Sequence, residues 1–305
     1  MGKKNARTRR IPELQQGTYS DGHPLDEVQY LQCKIILKPD RFISVASFHE
    51  FGDAVLRTAE ELGIEFSRDA GEGQRPRIKE IVFADTPDCL LYNNSFILRR
   101  RIAFEDGFPV GEPEIVFKFR HPDMQKAAEL DVRPNIAGKY RIKFKAEALP
   151  LRDGVGGFRL LFSHNVEFGV SQLHEGDRTS MATLSRVFPA LAALKRSDNE
   201  RVELVSRQFV EEVLQDLGVL DFGKGITAKA NVALWRTRGE HLPLIGEFSF
   251  QSKFKRGDEF HDKAKRRCEQ FFVSLQHNVK DRISLGTTKT GVVYRLQGNQ
   301  PQSHE

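Results

Sequence analysis

The strongest constraint on the fold is an alternation of basic and apolar side chains in two neighbouring segments. Side chains alternate between the two faces of a β-strand. Within residues 96–104 and 115–120, one face is basic, with Arg99, Arg101, Lys118 and Arg120, and the other carries Leu98, Ile102, Ile115, Phe117 and Phe119 beside Arg100. Four cations on one face repel each other unless that face meets water or an anion. The pattern therefore indicates a barrel that is lined by charge and wrapped by helices.

The two segments belong to a run of three predicted strands between Glu80 and Asp123. A turn-forming cluster, Asp-Thr-Pro-Asp at 85–88, follows the first strand. A hairpin with Gly107, Pro109 and Gly111 joins the second strand to the third.

The same residues carry a resemblance to a known family. The motif DTPDxxLxxNxxxLRRR at 85–101, followed by Phe-Lys-Phe-Arg at 117–120, resembles the CYTH superfamily of triphosphate tunnel enzymes. Its members include inorganic and thiamine triphosphatases, RNA triphosphatases and one class of adenylate cyclases. The resemblance extends at low density from about Tyr30 to Gln251. It implies an α+β fold, in which an antiparallel eight-stranded tunnel-like β-barrel is wrapped by helices.

The resemblance also implies a metal site, and here the sequence departs from the family. In the superfamily the first barrel strand carries Glu-x-Glu-x-Lys, whose two carboxylates hold a divalent metal. Residues 30–37 alternate and predict this strand, but Tyr30, Gln32 and Lys34 stand at the matching positions, so only the lysine is retained. In the last barrel strand Glu247 matches a family carboxylate, whereas Ser249 does not.

A triphosphate needs several convergent cations to hold it. Arginine suits this role, because its planar guanidinium bonds phosphate oxygens in pairs and stays charged. The first set of expected ligand-binding residues is Lys34, Arg99, Arg101, Lys118 and Arg120, and the second set is Arg133, Lys143, Lys145, Arg236 and Arg238.

Hydrolysis would also require Mg²⁺ or Mn²⁺ on oxygen ligands. The expected catalytic residues are Glu247, Glu129, Asp131 and Glu147, and Glu247, Glu129 and Glu147 are the expected metal ligands. Residues 128–133 are predicted to form a strand that places Glu129, Asp131 and Arg133 on one face. Residues 141–148 are predicted to do the same with Lys143, Lys145 and Glu147. Such alternation also occurs on solvated outer faces of antiparallel sheets.

Net charge and cysteine content bear on the binding partners and the cellular compartment of the protein. The net charge of +5 equals the five cations among residues 1–10, so it does not argue for nucleic acid. Cys33, Cys89 and Cys268 lack ligand spacing and are odd in number, which favours a reduced, cytoplasmic setting. We expect no membrane span, because no apolar run approaches the required length. Walker, dinucleotide-binding, HExxH and GxSxG motifs are absent from the sequence.

The chain is expected to have three parts. Residues 1–26 form a flexible basic tail, or else an electrostatic contact for RNA or an acidic partner; residues 27–276 form the tunnel domain; and residues 277–305 form a partly disordered C-terminal extension. Apolar spacing predicts helices over 47–62, 179–194, 200–217 and 260–275. Further strands are predicted over 154–168, 226–238 and 242–251.

The sequence is compatible with two functions. The first is a divergent metal-dependent phosphohydrolase that binds a triphosphate or polyphosphate group in a cationic tunnel. The second is a catalytically inactive binding module or sensor for a phosphorylated ligand such as a nucleotide, polyphosphate or RNA. The sequence leaves the ligand and the oligomeric state undetermined.

Overall fold

The structure is a computed structural model that describes residues 17–68, 75–173, 179–194, 199–254, 261–298 and 301. These residues form eleven strands: β1 (Tyr30–Leu37), β2 (Glu65–Arg68), β3 (Arg77–Asp85), β4 (Phe96–Glu105), β5 (Phe108–His121), β6 (Arg141–Pro150), β7 (Phe158–Gly169), β8 (Glu203–Leu204), β9 (Val210–Asp221), β10 (Thr227–Thr237) and β11 (Pro243–Lys253). They also form six α-helices: α1 (Val45–Glu61), α2 (Leu90–Asn93), α3 (Met124–Glu129), α4 (Met181–Val187), α5 (Asp262–Asn278) and α6 (Lys289–Arg295).

Nine of these strands close into a barrel in the order β9, β10, β11, β1, β6, β7, β5, β4, β3, and β3 pairs again with β9. The short strands β2 and β8 extend the sheet beside β9 and β3. Neighbouring strands run antiparallel except β1 and β6, which are parallel. The predicted barrel wrapped by helices is confirmed. The predicted barrel has eight strands, all antiparallel, whereas the observed barrel has nine strands and one parallel pair, β1 with β6. A parallel pair needs a long connection, and here it contains α1, α2, α3 and β2–β5.

The first outer core lies where α1 and α5 cover β1, β10 and β11. Helix α1 begins with a capping box, in which the Ser44 hydroxyl accepts a hydrogen bond from the backbone N–H of Ser47. Its apolar face packs on the barrel through Phe51, which lies 5.3 Å from the Phe248 ring. Helix α5 adds Phe271, 5.5 Å from the Phe250 ring. The predicted helix over 47–62 is therefore confirmed, and the one over 260–275 is confirmed from Asp262 onward, since residue 260 lies outside the described residues. Both helices cover the outer face of the sheet.

The second outer core lies against β4, β5 and β7. The Phe117 ring stacks on Phe188 at 4.3 Å, and Leu98 pairs with Phe117 across the sheet. Both Leu98 and Phe117 are buried in this core. The apolar face predicted for 96–104 and 115–120 thus lies outside the barrel, under α4 and the turn that follows it.

Helix α6 packs inside one end of the barrel. Val293 and Tyr294 are buried among inward-facing apolar side chains of the strands, including Phe83 and Trp235. This helix belongs to the region expected to be a C-terminal extension. After α5 the chain therefore enters the barrel interior at α6.

Part of the expected N-terminal tail is also packed. Tyr19 and Leu25 are buried against α3 and Phe144 on the outside of the barrel. The side chain of His164 bonds Asp26 at 3.1 Å. Residues 1–16, with the five cations of the basic segment, lie outside the described residues.

Two predicted elements are wrong. Residues 200–217 were predicted as a helix, yet 210–217 belong to β9. Apolar residues occur on both faces of β9, and a bulge in the pairing with β10 shifts the register near Gly218, so the spacing imitates a helix. A side chain at Gly218 would collide with the Ser67 carbonyl at 2.2 Å. Residues 128–133 were predicted as a strand, but α3 ends at Glu129 and no regular element follows up to Arg133.

The predicted helix over 179–194 is correct in part. Helix α4 covers Met181–Val187, and a 3₁₀ helix follows at Pro189–Leu194. The three cysteines are buried free thiols, and the cytoplasmic setting stays a prediction. None of the helices within the described ranges combines the length and the apolar character needed to cross a bilayer.

Candidate functional site

A polar cavity of about 180 Å³ lies inside the barrel. This volume is many times the roughly 10–15 Å³ that one water molecule needs, so a ligand of several atoms has room. Among the described residues, its wall contains eight basic side chains, Lys34, Arg99, Arg101, Lys118, Arg120, Lys143, Lys145 and Lys289, and four carboxylates, Glu147, Glu167, Glu212 and Glu247. Counted with every side chain ionised, the described wall has a formal excess of four positive charges, although burial lowers the pKa of Lys118 well below its usual range.

Strand alternation places the cations inside. On β4 the outward residue Leu98 packs in the second outer core, so its neighbour Arg99 points into the cavity. On β5 the same rule turns Lys118 inward beside the buried Phe117 and Phe119. The predicted opposition of cations and aromatics is thus confirmed.

Glu147 on β6 is the hub of one cation cluster. Its carboxylate lies 2.9 Å from Lys34 Nζ, 3.5 Å from Lys118 Nζ and 3.4 Å from Arg120 Nε. Ser163 Oγ also donates to it at 2.9 Å. Burial alone would raise the pKa of Glu147, but Lys118, Lys34 and Arg120 hold the pKa well below its usual range. Glu147 is therefore a built-in counter-ion for three ligand-binding candidates.

Glu167 on β7 is the hub of a second cluster. Its carboxylate contacts Lys143 at 2.6 Å, Arg141 at 2.6 Å and Arg101 at 3.3 Å. Burial opposes its ionisation, yet Arg101 and Lys143 lower the pKa of Glu167 to about 2. Arg101 also bonds Glu114 at 2.5 Å. Arg101 and Lys143 are thereby held in fixed positions at the wall.

The third cluster joins two strands to α6. Lys289 Nζ lies 3.1 Å from Glu212 on β9 and 2.9 Å from Glu247 on β11. It also lies 4.7 Å above the Trp235 ring, whose Nε1 donates to Glu212 at 2.8 Å. Despite burial, Lys289 and the Trp235 hydrogen bond lower the pKa of Glu212 to about 2. Burial would lower the pKa of Lys289, but Glu247 and Glu212 raise it, so the ammonium stays charged.

Arg99 differs from the other cations of the wall. Among the described residues no carboxylate lies within ion-pair distance of its guanidinium, and its buried Nε has no hydrogen-bond partner there. Burial and the neighbouring Arg101 lower its pKa to about 10, so Arg99 is still charged at neutral pH. The side chain is half-buried, and leaving its buried Nε without a partner is costly unless an anion meets it.

The structure brings most of the predicted site residues together. The inward set contains all of the first ligand-binding set, with Lys143, Lys145, Glu147 and Glu247. Five predicted site residues do not line the cavity: Glu129, Asp131, Arg133, Arg236 and Arg238.

These five residues have contacts elsewhere. Glu129 is exposed and accepts a hydrogen bond from Gln125 on its own helix, and Arg133 bonds Asp131 and stacks on Tyr19 outside the barrel. Their placement on a tunnel strand was wrong because the end of α3 and an irregular segment stand in place of that strand. Arg236 bonds Glu211, and Arg238 bonds Glu80.

Three charged residues of the site were missed. Glu212 was hidden because its segment was interpreted as a helix. Glu167 lies at the inward position next to Val166 in the predicted strand 154–168, so its alternation could have revealed it. Lys289 has no signal in the sequence, since a lysine at the start of a short helix is ordinarily a solvated residue.

The implied divalent metal does not fit the side chains as they are arranged. The two family positions on β1 hold Tyr30 and Gln32, and Gln32 lies 3.5 Å from Ser249. Glu212 and Glu247 line the cavity, but both carboxylates are in contact with the same ammonium group. Within the described ranges, no group of three His, Cys, Asp or Glu side chains is placed to hold a metal ion.

No protein-family model and no curated protein matches the sequence. Structural similarity is found to several solved proteins. A Bacillus halodurans protein proposed to be an adenylate cyclase has 11% identity and a TM-score of 0.39, over 89% of this chain and 98% of its own. A Hippeastrum protein, proposed to be an adenylyl cyclase and described as having a dominant triphosphatase activity, has 12% identity and a TM-score of 0.40, over 90% and 98%. A Pyrococcus horikoshii protein has 12% identity and a TM-score of 0.34, over 87% and 97%.

These scores are low, so the fold is assigned from the strand pairing of the chain itself. The strands close into a ring, helices cover its outer face, and charged side chains line its interior. The four cations at 99, 101, 118 and 120 that support the resemblance all point into the cavity. The chain therefore has the tunnel-like barrel that its resemblance to the CYTH superfamily implies.

Proposed function

We propose that the protein binds the triphosphate or polyphosphate group of a ligand inside its barrel. The observation that carries the proposal is Arg99, a half-buried side chain that faces the cavity with its Nε buried and with no anionic partner among the described residues. An anion that reached this position would offset the cost of burying the charge.

The charge of the cavity supports a ligand with several phosphates. A triphosphate carries roughly four negative charges, since a terminal phosphate group holds up to about two. The described wall has an excess of four positive charges. A single phosphate, with up to about two charges, would leave about half of that excess uncompensated.

The positions of the cations support a fixed, extended ligand. Glu147 holds Lys34, Lys118 and Arg120 on one side of the cavity, and Glu167 holds Arg101 and Lys143 on another. Cations that are already positioned lose little side-chain entropy when they bind. The two carboxylate hubs thus pre-organise the basic wall for an anion.

A second candidate function is metal-dependent hydrolysis of a triphosphate or polyphosphate with Mg²⁺ or Mn²⁺. Its carboxylates would be Glu212 and Glu247, which reach the same ammonium group, and a metal ion would have to displace that group. Glu247→Gln should then abolish metal-stimulated phosphate release while metal-free binding of triphosphate persists.

Binding is tested by isothermal titration of inorganic triphosphate in buffer that contains EDTA. Arg99→Ala should weaken binding by about one to two powers of ten, because a charge-assisted hydrogen bond contributes roughly 1.5–3 kcal/mol. Phosphate release is then measured on the same samples with and without Mg²⁺.

Arg100→Ala is the matched control. Arg100 is the next residue on β4, but it points outward and bonds Glu80 at 3.0 Å. Its removal should leave triphosphate affinity unchanged. If wild type does not bind triphosphate, or if the two variants lose affinity equally, the barrel interior is not the binding site.

A further inference from the structure

Lys289 occupies the point where carboxylates of two barrel strands converge. Its Nζ lies 2.9 Å from Glu247 and 3.1 Å from Glu212. Glu247 is the one carboxylate of the chain that matches the family's metal ligands, so the ammonium stands where the family resemblance leads one to expect a cation. The charge at that point is supplied by the polypeptide.

The chain holds Lys289 firmly in this place. It is the first residue of α6, and the preceding Thr288 caps the helix by accepting a hydrogen bond from the Gly291 N–H at 3.1 Å. At the other end of the helix, the Tyr294 hydroxyl bonds the buried carboxylate of Asp85 at 2.9 Å. A cation that is tethered in this way has a high effective concentration at the site, and a dissolved ion must compete with it.

The surroundings of Lys289 also favour an ammonium over a divalent ion. Its charge meets the face of the Trp235 ring at 4.7 Å, which is a cation–π contact. A divalent ion such as Mg²⁺ requires several oxygen ligands at about 2.0–2.1 Å. On the neighbouring strand β1, the inward positions at this level of the barrel are Lys34 and Ile36, and neither supplies an oxygen ligand.

We infer that Lys289 takes the place of a divalent metal in this barrel, so that ligand binding is independent of metal. The inference deepens the proposed function and rests on it. The ammonium offsets one of the two negative charges of Glu212 and Glu247, which would otherwise repel a phosphate group in the same cavity more strongly. The barrel thereby keeps its net positive charge without a bound ion.

The test removes the tethered cation and asks whether a dissolved ion replaces it. Lys289→Met keeps much of the side-chain volume and leaves two carboxylates facing each other. Mn²⁺ binding, measured by electron paramagnetic resonance without any phosphate ligand, should be at least about tenfold tighter in Lys289→Met than in wild type, or about 1.4 kcal/mol. Mn²⁺ should also raise the melting temperature of this variant and not that of wild type.

Two further variants make the result specific. Lys289→Arg keeps the positive charge and should bind Mn²⁺ as weakly as wild type. Lys289→Met combined with Glu247→Gln removes one ligand and should lose the gained affinity. Tight Mn²⁺ binding by wild type, or no gain in folded Lys289→Met, would overturn the inference.

If Lys289→Met fails to fold, the inference is tested by measurements on the wild-type protein alone. Its triphosphate affinity should be no higher in Mg²⁺ than in EDTA, because Mg²⁺ also forms a complex with free triphosphate, and tighter binding in Mg²⁺ would contradict the role of Lys289. Failure of the proposed function has a different signature, because wild type would then not bind triphosphate under either condition.

Discussion

The hydroxyl of Tyr294 on α6 donates a hydrogen bond of 2.9 Å to the carboxylate of Asp85 at the end of β3. Both side chains are buried. The same carboxylate accepts hydrogen bonds from the backbone N–H groups of Leu91 and Tyr92 at the start of α2. The first residue of the DTPD motif thus joins a strand, a short helix and the helix inside the barrel, and its role is structural.

Tyr294→Phe should destabilise the protein by about 1–3 kcal/mol, because it leaves a buried carboxylate short of one donor. Asp85→Asn should cost more, since its amide group presents N–H donors to the donors that now bond the carboxylate. Both values are measured by urea unfolding. Phe83 lies in the same cluster without a polar contact, so Phe83→Leu serves as a packing control. Equal stability of Tyr294→Phe and wild type would show that the hydrogen bond does not fasten α6.

Glu147→Gln should lower stability and strengthen anion binding. The carboxylate is buried and faces three cations, and the removal of one partner from a buried ion cluster typically costs about 3–5 kcal/mol. The freed cations then become available to a ligand, so triphosphate should bind more tightly. Urea unfolding measures the expected loss of stability, and calorimetry measures the expected gain in triphosphate affinity. A loss of affinity in the folded variant would mean that Glu147 does not compete with the ligand for these cations.

Acid should weaken the barrel between about pH 4.5 and about pH 2. The pKa values of Glu167 and Glu212 are lowered to about 2 in the folded protein, so their stabilising contribution is complete above the ordinary pKa and is lost as the pH falls towards the folded pKa. Each shift corresponds to about 3 kcal/mol. Glu167→Gln should flatten the fall in the urea midpoint over this range. An unchanged pH profile would contradict the assignment.

Triphosphate affinity should fall as the pH rises through about 8 because of Lys145. Burial, and then the neighbouring Lys34, lower the pKa of Lys145 to about 8. Deprotonation removes one cation from the wall, which should reduce affinity by up to about tenfold. Lys145→Arg is the control, because its side chain stays charged over this range. Any change of its affinity with pH therefore reports the titration of the ligand itself. Parallel pH profiles for the two proteins would show that Lys145 does not contact the phosphate group.

The barrel wall was predictable from sequence where a strand has one apolar face and one charged face. Arg99 and Lys118 belong to such strands, and their direction followed from alternation alone. β9 has apolar residues on both faces, because an outer helix and the barrel interior both cover it. Its sequence therefore shows no alternation of apolar and charged residues, and Glu212 could not be predicted as a residue of the cavity wall.

The third charged cluster could not be predicted because it depends on a contact between distant segments. Lys289 meets Glu212 only after α6 enters the barrel. Nothing in the local pattern of residues 289–295 distinguishes a helix that enters a barrel from one that lies on its surface. The opposite error occurs at Asp131. The residues around it alternate as in a strand, but the chain there lies outside the sheet.

The pairing of β1 with β11 determines the order in which this protein can be completed during synthesis. Strand β1 is made early, but the side chains of Gln32 and Ser249, which meet across this pair, are 217 residues apart. One edge of β1 therefore stays without its partner until β11 has left the ribosome. Sheets that depend on such distant pairings fold slowly and expose strand edges while they wait. We expect that nascent chains truncated before β11 aggregate, and that chaperones bind them for longer than they bind the finished protein.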